Sequence, residues 1–276
     1  RKTTIAYADD AILTKLRTAW WQQARDTVAP PEVFEGERRL NLHDDARILP
    51  SLHIGQAMLG RRISVGAAPL TVDFTTDVGR NLALLGTGPG NAVLLNTALS
   101  LLHSTPAAEL ILLDLIGDWH SPARDAVRAA FERQLTKIGG TYRVVDKHRA
   151  DALVDELAEQ VADRADDASA PPVYVIGLGL ERWRSDSDDV LAKSAPTVGI
   201  HLLGWWTKLD SFKEVMGFDG DASFDIRIAM HLDSASACDI FKEPLLGWTP
   251  QDNRALVWDS AVMSTPQGVI PYTVIP

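Results

Sequence analysis

The chain has one cysteine, Cys238, in 276 residues. That excludes an intrachain disulfide and suits a reducing compartment. No apolar run is long enough to cross a bilayer, and no signal-peptide pattern opens the chain, so no direct membrane insertion is expected of this segment. Positive charge is scarce as well: 27 Lys and Arg stand against 37 Asp and Glu, a net charge of −10. No basic run exceeds two adjacent residues, which disfavours duplex DNA and anionic membrane surfaces as partners. The first residue is Arg1, not methionine. The expectation is a piece of a longer, cytoplasmic protein, with any membrane association made through parts outside this chain.

The most organised stretch is LLGTGPGNAVLLNTALSLL, from Leu84 to Leu102. An apolar run, Leu82 to Leu85, reads as a buried strand. A loop with glycines at 86, 88 and 90 follows, then a helix-like segment with Val93, Leu94, Leu101 and Leu102. Strand, glycine loop and helix is the layout that aims backbone N–H groups at phosphate. A working loop reads G-x-x-x-x-G-K-[ST]. With Gly90 as its last glycine, Leu85 stands where the first belongs, Asn91 replaces the lysine and Ala92 the Ser/Thr. Asn91 brings no charge to the β/γ-phosphates, and Ala92 brings no hydroxyl to Mg²⁺. Pro89 removes one N–H from the cradle. Gly86, Thr87, Gly88, Pro89, Gly90, Asn91 and Ala92 therefore read as a vestigial nucleotide loop.

Along the rest of the chain, Asp9 to Val28 reads as a helix with Ile12, Leu13, Leu16, Ala19 and Trp20 on one stripe, stopped by Pro30 and Pro31. Glu32 to Pro50 reads as a polar linker or strap. Arg62 to Val65 and Leu70 to Phe74 read as a hairpin at a sheet edge. Glu109 to Leu115 is a second apolar strand. A helix follows from Pro122 to Ile138, with Ser121 as its N-cap. Tyr142 to Val145, Val173 to Ile176, Val198 to Leu203, Ile226 to Leu232, Ala255 to Trp258 and Val269 to Val274 are further extended segments. Asp151 to Arg164 is an acidic helix. Nearly all-apolar strands alternating with helices predict an α/β fold, a mostly parallel sheet covered on both faces.

Fragments in this order resemble the FtsK/SpoIIIE/HerA branch of RecA-like motor ATPases. They are the lead-in RRISVGAAPLTVDF, the strand AAELILLDL ending in Asp114, PPVYVIGLGLERWR at the Walker B position, VGIHLLGWW at the sensor strand, and FDIRIAMHLDS with Arg227. The closest likeness is to the C-terminal ATPase-like domains of multi-domain FtsK-type proteins, type VII secretion motors included. The resemblance covers Leu59 to Pro276 and implies a RecA-like P-loop NTPase fold. It divides the chain into 1–50, an N-terminal helix and linker forming the tail of a preceding module, and 51–276, a degenerate ATPase domain. It also implies neighbours of the same fold, as in a hexameric ring, and a cargo of DNA or secreted protein; the acidic charge favours protein.

The departures from that family are more informative than the matches. Gly177 and Leu178 stand where a Walker B strand carries its carboxylates, and Glu181 is expected to face solvent. Trp205, Trp206 and Thr207 stand where the sensor strand has Ala, Thr and Gln. The expectation is a pseudo-ATPase without catalytic residues or metal, with no cofactor beyond weak ATP or ADP binding. Two enzymatic alternatives remain: an active translocase subunit with an atypical site, and an NAD(P)-dependent oxidoreductase. The latter would use Gly86, Gly88 and Asp114 as a dinucleotide fingerprint, although Asn91 stands at its third glycine.

Asp114, Asp118 and His120 sit close enough to suggest a metal, but Asp118 and His120 flank Trp119 in a loop and read as surface residues. Arg182 and Arg184 around Trp183 read as surface charge over an aromatic ring, with a trans-acting arginine as the sharper alternative. Neighbours on a strand face opposite ways, so one of Trp205 and Trp206 enters the core and the other reaches the strand's C-terminal rim. Simple packing explains both. The sharper expectation is that one plugs the vacated nucleotide pocket or forms an interaction patch.

Overall fold

A computed structural model describes residues 9–25, 37–64, 68–116, 122–165, 170–183 and 190–275. The chain divides into two compact units, Arg1–Glu35 and Gly36–Pro276. In the first, helix α1 (Asp10–Ala24) is N-capped by Asp9, whose carboxylate accepts the Ala11 N–H at 2.9 Å. None of its residues is buried, those of the stripe read from Ile12 to Trp20 included. The helix ends before Val28, and the prolines at 30 and 31 lie outside the described residues.

The second unit is built on one sheet. It opens with β1 (Leu40–Asn41), β2 (Gln56–Arg62), β3 (Pro69–Asp73) and β4 (Leu82–Leu85). Next come α2 (Gly90–Ser104), β5 (Glu109–Asp114), α3 (Pro122–Ile138), β6 (Tyr142–Asp146), α4 (Ala150–Arg164) and β7 (Val173–Leu178). The chain closes with β8 (Ile200–Trp206), α5 (Leu209–Met216), β9 (Ile226–Ala229), α6 (Ser234–Ile240), β10 (Ala255–Asp259) and β11 (Gln267–Val274). The strand order is β3-β2-β11-β10-β9-β4-β8-β7-β5-β6, with β1 parallel to β11. From β9 to β6 every pair is parallel, while β10, β11, β2 and β3 continue antiparallel. The hairpin is present, but its first strand starts at Gln56, ahead of Arg62. Gln56, Gly60 and the paired arginines break the apolar alternation by which a strand is recognised.

The two faces carry separate cores. Leu82 and Leu84 point into the one under α2 and α3; Ala83 and Leu85 point into the one under α4, α5 and α6. Helix α2 is buried almost all round, and its polar side chains bond internally, with Asn96 Oδ1 left unpaired. Asn96 Nδ2 donates to the Ala92, Tyr272 and Val274 carbonyls, and Ser100 Oγ accepts the Met58 N–H at 2.9 Å. A helix between sheet and strands needs such partners, because a buried polar group without one is costly.

The start of β4 is pinned from both sides. Asn81 donates to the Ala192 and Ser223 carbonyls and accepts the Leu202 N–H at 2.8 Å. Buried Arg80 grips buried Asp259 in a fork of 2.7 and 2.9 Å. Such a pair specifies register more than it stabilises. Its effect here is to hold the strand that leads into the glycine loop.

Candidate functional site

The glycine loop leaves the C-terminal end of β4 and enters α2 at Gly90, in the strand-to-helix arrangement read from the sequence. It is clamped on both sides. Gly86 N–H donates to the Trp206 carbonyl at 3.0 Å, and Met230 N–H to the Leu85 carbonyl at 2.9 Å. A Cβ on Gly86 would lie 1.6 Å from the Met230 oxygen, and φ there is +106°, so only glycine fits.

Three positions of the loop bring no free N–H to a phosphate cradle. Pro89 has no N–H, the Gly86 N–H is bonded to β8, and the Ala92 N–H is taken by the Asn91 side chain at 2.8 Å. Strand β8 lies between β4 and β7 and carries Trp205 to the loop. Its indole N–H donates to the Gly86 carbonyl at 2.9 Å, and its ring lies so close to Gly90 that a Cβ there would meet it at 2.5 Å. Trp206 points the other way. It is fully buried, edge-on to Phe212 at 4.9 Å and to Phe224 at 5.6 Å between ring centroids. The strand alternation thus resolves as expected, with Trp205 at the loop and Trp206 in the core.

On β7, Leu178 is in register with Trp205 and packs with the core under α2, beside Asn91 and Arg128. It is the position from which a carboxylate would face the loop. Gly177 points to the opposite face, where Leu180 closes over it and over its partner Gly204. Glu181 departs from expectation: it is half-buried, not solvent-facing, and accepts from the Thr207 hydroxyl at 3.3 Å. The cause is the tight turn 180–182, which folds the chain back over the end of β8.

Other residues singled out in the sequence lie elsewhere. Asp114 is buried, accepts the Ile116 N–H at 3.1 Å and pairs with Arg128. It ends β5, and β8 and β7 stand between β5 and β4. A dinucleotide fingerprint requires the acidic strand beside the glycine strand, so the oxidoreductase alternative loses its geometry. Asp118, His120, Ser121 and Arg184 lie outside the described residues. Among the described residues no group of three His, Cys, Asp or Glu is placed to hold a metal. Arg182 reaches toward the Leu115 and Ile116 carbonyls at 3.4 and 3.5 Å. Arg227 is buried away from the loop, donating to the Phe224, Ile240 and Asp221 carbonyls, with its guanidinium 5.1 Å from the Trp258 ring centroid. Burial pulls its pKa down, against the raising influence of Asp221 and Asp225.

Beside the loop a cavity of about 670 Å³ opens among Gly88, Pro89, Met230, His231, Asn253 and Thr273. No local pattern announced it, because its walls come from distant parts of the chain. Asn253 Oδ1 and Thr273 Oγ1 are buried there without a hydrogen-bond partner. His231 and Asn253 adopt positive φ of 41° and 56°. Orphaned polar atoms and strained backbone beside a cavity are features of ligand sites. Glu37, Arg39, Asp252 and Arg254 also line the cavity, so its wall carries both signs of charge; at the loop Asn91, Ala92 and Leu178 offer a triphosphate and its metal no cation, hydroxyl or carboxylate.

No protein-family model matches the sequence, and no curated protein matches it. Solved structures do. They establish that the chain has the fold of RecA-like P-loop ATPase domains of the FtsK/SpoIIIE type. The pCW3 conjugation coupling protein TcpA, a monomer form with ATPgS, matches with TM-score 0.62 and 13% identity over 94% of this chain and 82% of TcpA. Thermomonospora curvata EccC (ATPases 2 and 3), in complex with a signal sequence peptide, matches with TM-score 0.58 and 15% identity over 96% of this chain. EssC (ATPases 2 and 3) from Geobacillus thermodenitrificans matches with TM-score 0.52 and 14% identity over 89% of this chain. This chain spans 49% and 47% of those last two. Among the described residues no helix is long and apolar enough to cross a membrane.

Proposed function

We propose that the larger unit is a non-hydrolysing FtsK/SpoIIIE-like domain, serving as a structural or regulatory module of a larger translocase. The observation that carries this reading is Trp205. Its ring lies on Gly90 and its N–H bonds the Gly86 carbonyl, so an indole covers the helix start where phosphate oxygens would dock. Hydrolysis requires neutralised phosphate charge, a held Mg²⁺ and a positioned water. Asn91, Ala92, Leu178 and Thr207 supply none of these. The cavity beside the loop supports a second reading, weak ATP or ADP binding without turnover, because its two orphaned polar atoms offer partners to a base or sugar.

By analogy with the multi-ATPase chains it resembles, its partners are other ATPase domains of the same or a neighbouring chain. The cargo is protein in preference to DNA, since the net charge of −10 opposes phosphate contacts. Calorimetric titration with Mg·ATP, ADP and NAD(P), paired with a phosphate-release assay, tests the proposal. Expected are no heat with NAD(P), little or none with nucleotide, and no release. Steady phosphate release lost on replacing Gly90 overturns it in favour of an active motor.

A further inference from the structure

At the opposite end of the parallel strands from the glycine loop, a second cavity of about 490 Å³ enters the sheet among Ile54, Phe74, Pro172, Tyr174, Val198 and His201. Tyr174 and His201 are the second residues of β7 and β8, so the cavity sits at the strands' N-terminal ends. Its inner wall is three rings. Tyr174 and His201 stack with centroids 5.6 Å apart, and Phe74 stands edge-on to both, at 5.8 and 5.5 Å.

Two polar groups are set into this wall, and their chemistry is constrained. His201 Nδ1 lies 2.8 Å from the Arg80 carbonyl. A carbonyl only accepts, so Nδ1 carries the proton and Nε2 is left as an acceptor. Burial, with Arg80 nearby, holds the His201 pKa down to about 4, so the ring is neutral at physiological pH. The Tyr174 side chain is fully buried and its hydroxyl makes no hydrogen bond of normal geometry, with Thr105 the neighbouring polar side chain. Thr105 Oγ1 is itself engaged, accepting the Gly55 N–H at 2.8 Å. Burial pushes the phenol up to about 12, so it too stays neutral.

No carboxylate lines the cavity among the described residues. Its one cation, Arg164, is turned to the Pro171 carbonyl at 2.8 Å. At the mouth, Ile54 is 78% exposed and makes an apolar lip. Volume, aromatic wall and a small number of fixed polar groups are the ingredients of a small-ligand site. Among the described residues a cationic ligand would find no counter-charge there, and the one guanidinium is already engaged with a carbonyl.

We propose that this cavity binds a neutral aromatic ring bearing an N–H or O–H donor, held against Tyr174, His201 and Phe74 with its donor on the imidazole acceptor. The inference is independent of the nucleotide reading, since the two cavities share no residue. The ring is either a free small molecule or the tryptophan side chain of a partner protein.

The test uses the full chain, ligand-observed NMR and three probes: indole, 1-methylindole and N-acetyltryptophanamide. Indole is expected to bind saturably. 1-Methylindole keeps the ring but loses the donor, and is expected to bind about fivefold to tenfold more weakly, one hydrogen bond's worth. Thr76→Trp, at an exposed position on the mouth, is expected to abolish binding. Competition by N-acetyltryptophanamide assigns the cavity to a side chain of a partner; its failure to compete assigns it to a free molecule. No saturable indole binding, equal binding of 1-methylindole, or binding undiminished in the Thr76→Trp protein each overturns the proposal.

Discussion

Replacing Trp205 and Trp206 separately with alanine sets a site-covering tryptophan against a core tryptophan on the same strand. Trp206 is fully buried against Phe212 and Phe224. Truncating such a side chain costs about 3–5 kcal/mol. Lost aromatic pairs push toward the upper end. Its indole N–H is buried without a partner, and relief of that group pulls back, so about 4 kcal/mol is expected. Trp205 is half-buried, so about half the packing loss applies, plus about 1 kcal/mol for its bond to the Gly86 carbonyl. The expectation is about 2–3 kcal/mol. For a domain of this size each kcal/mol lowers the melting temperature by about 2–4 °C, so calorimetry or urea titration followed by circular dichroism distinguishes the variants. The second readout is nucleotide. Removing the ring from Gly90 uncovers the start of α2, so ADP is expected to stabilise Trp205→Ala and to leave the parent and Trp206→Ala unmoved. At a hundredfold its dissociation constant the ligand contributes about 2.7 kcal/mol, well above detection. Two results refute the reasoning: Trp205→Ala as stable as the parent, or a parent that binds ADP as tightly as Trp205→Ala.

Repairing the loop alone, with Asn91→Lys and Ala92→Thr, is expected to give at most a small thermal shift with Mg·ATP and no phosphate release, because Leu178 still offers the metal no carboxylate; turnover by the double variant would show that β7 is dispensable. Stability is expected to fall as pH drops from 6.5 toward 4, since the unfolded chain protonates a histidine that buried His201 keeps neutral to about pH 4. The folded pKa is the lower one, so the contribution is complete above pH 6.5 and is lost on acidification, by about 3 kcal/mol at the limit. A denaturation series in which His201→Phe has the parent's slope across that window would contradict this. Finally, no duplex DNA binding is expected near physiological salt, and salt-sensitive micromolar retardation in a gel would return DNA to the list of cargoes.

What the sequence alone determined is local. The run from Leu82 to Leu85, the glycines that follow and the apolar face from Val93 to Leu102 specify strand, loop and helix, because each is written in consecutive residues with its own period. The departures at Asn91, Ala92 and Leu178 are legible for the same reason: each is read at one position of a local pattern. The opposite faces of Trp205 and Trp206 also follow from strand geometry. Tertiary structure alone decided which of them meets the loop, since that depends on β8 inserting between β4 and β7 and bringing Trp205 onto Gly86 and Gly90. It decided that Glu181 turns inward to Thr207, and that Asp114 is separated from the loop by two strands. It assembled both cavities from segments far apart in the chain. Periodicity records which face of an element is apolar, but strand order and register arise from pairing between residues distant in sequence, and no local pattern carries that information.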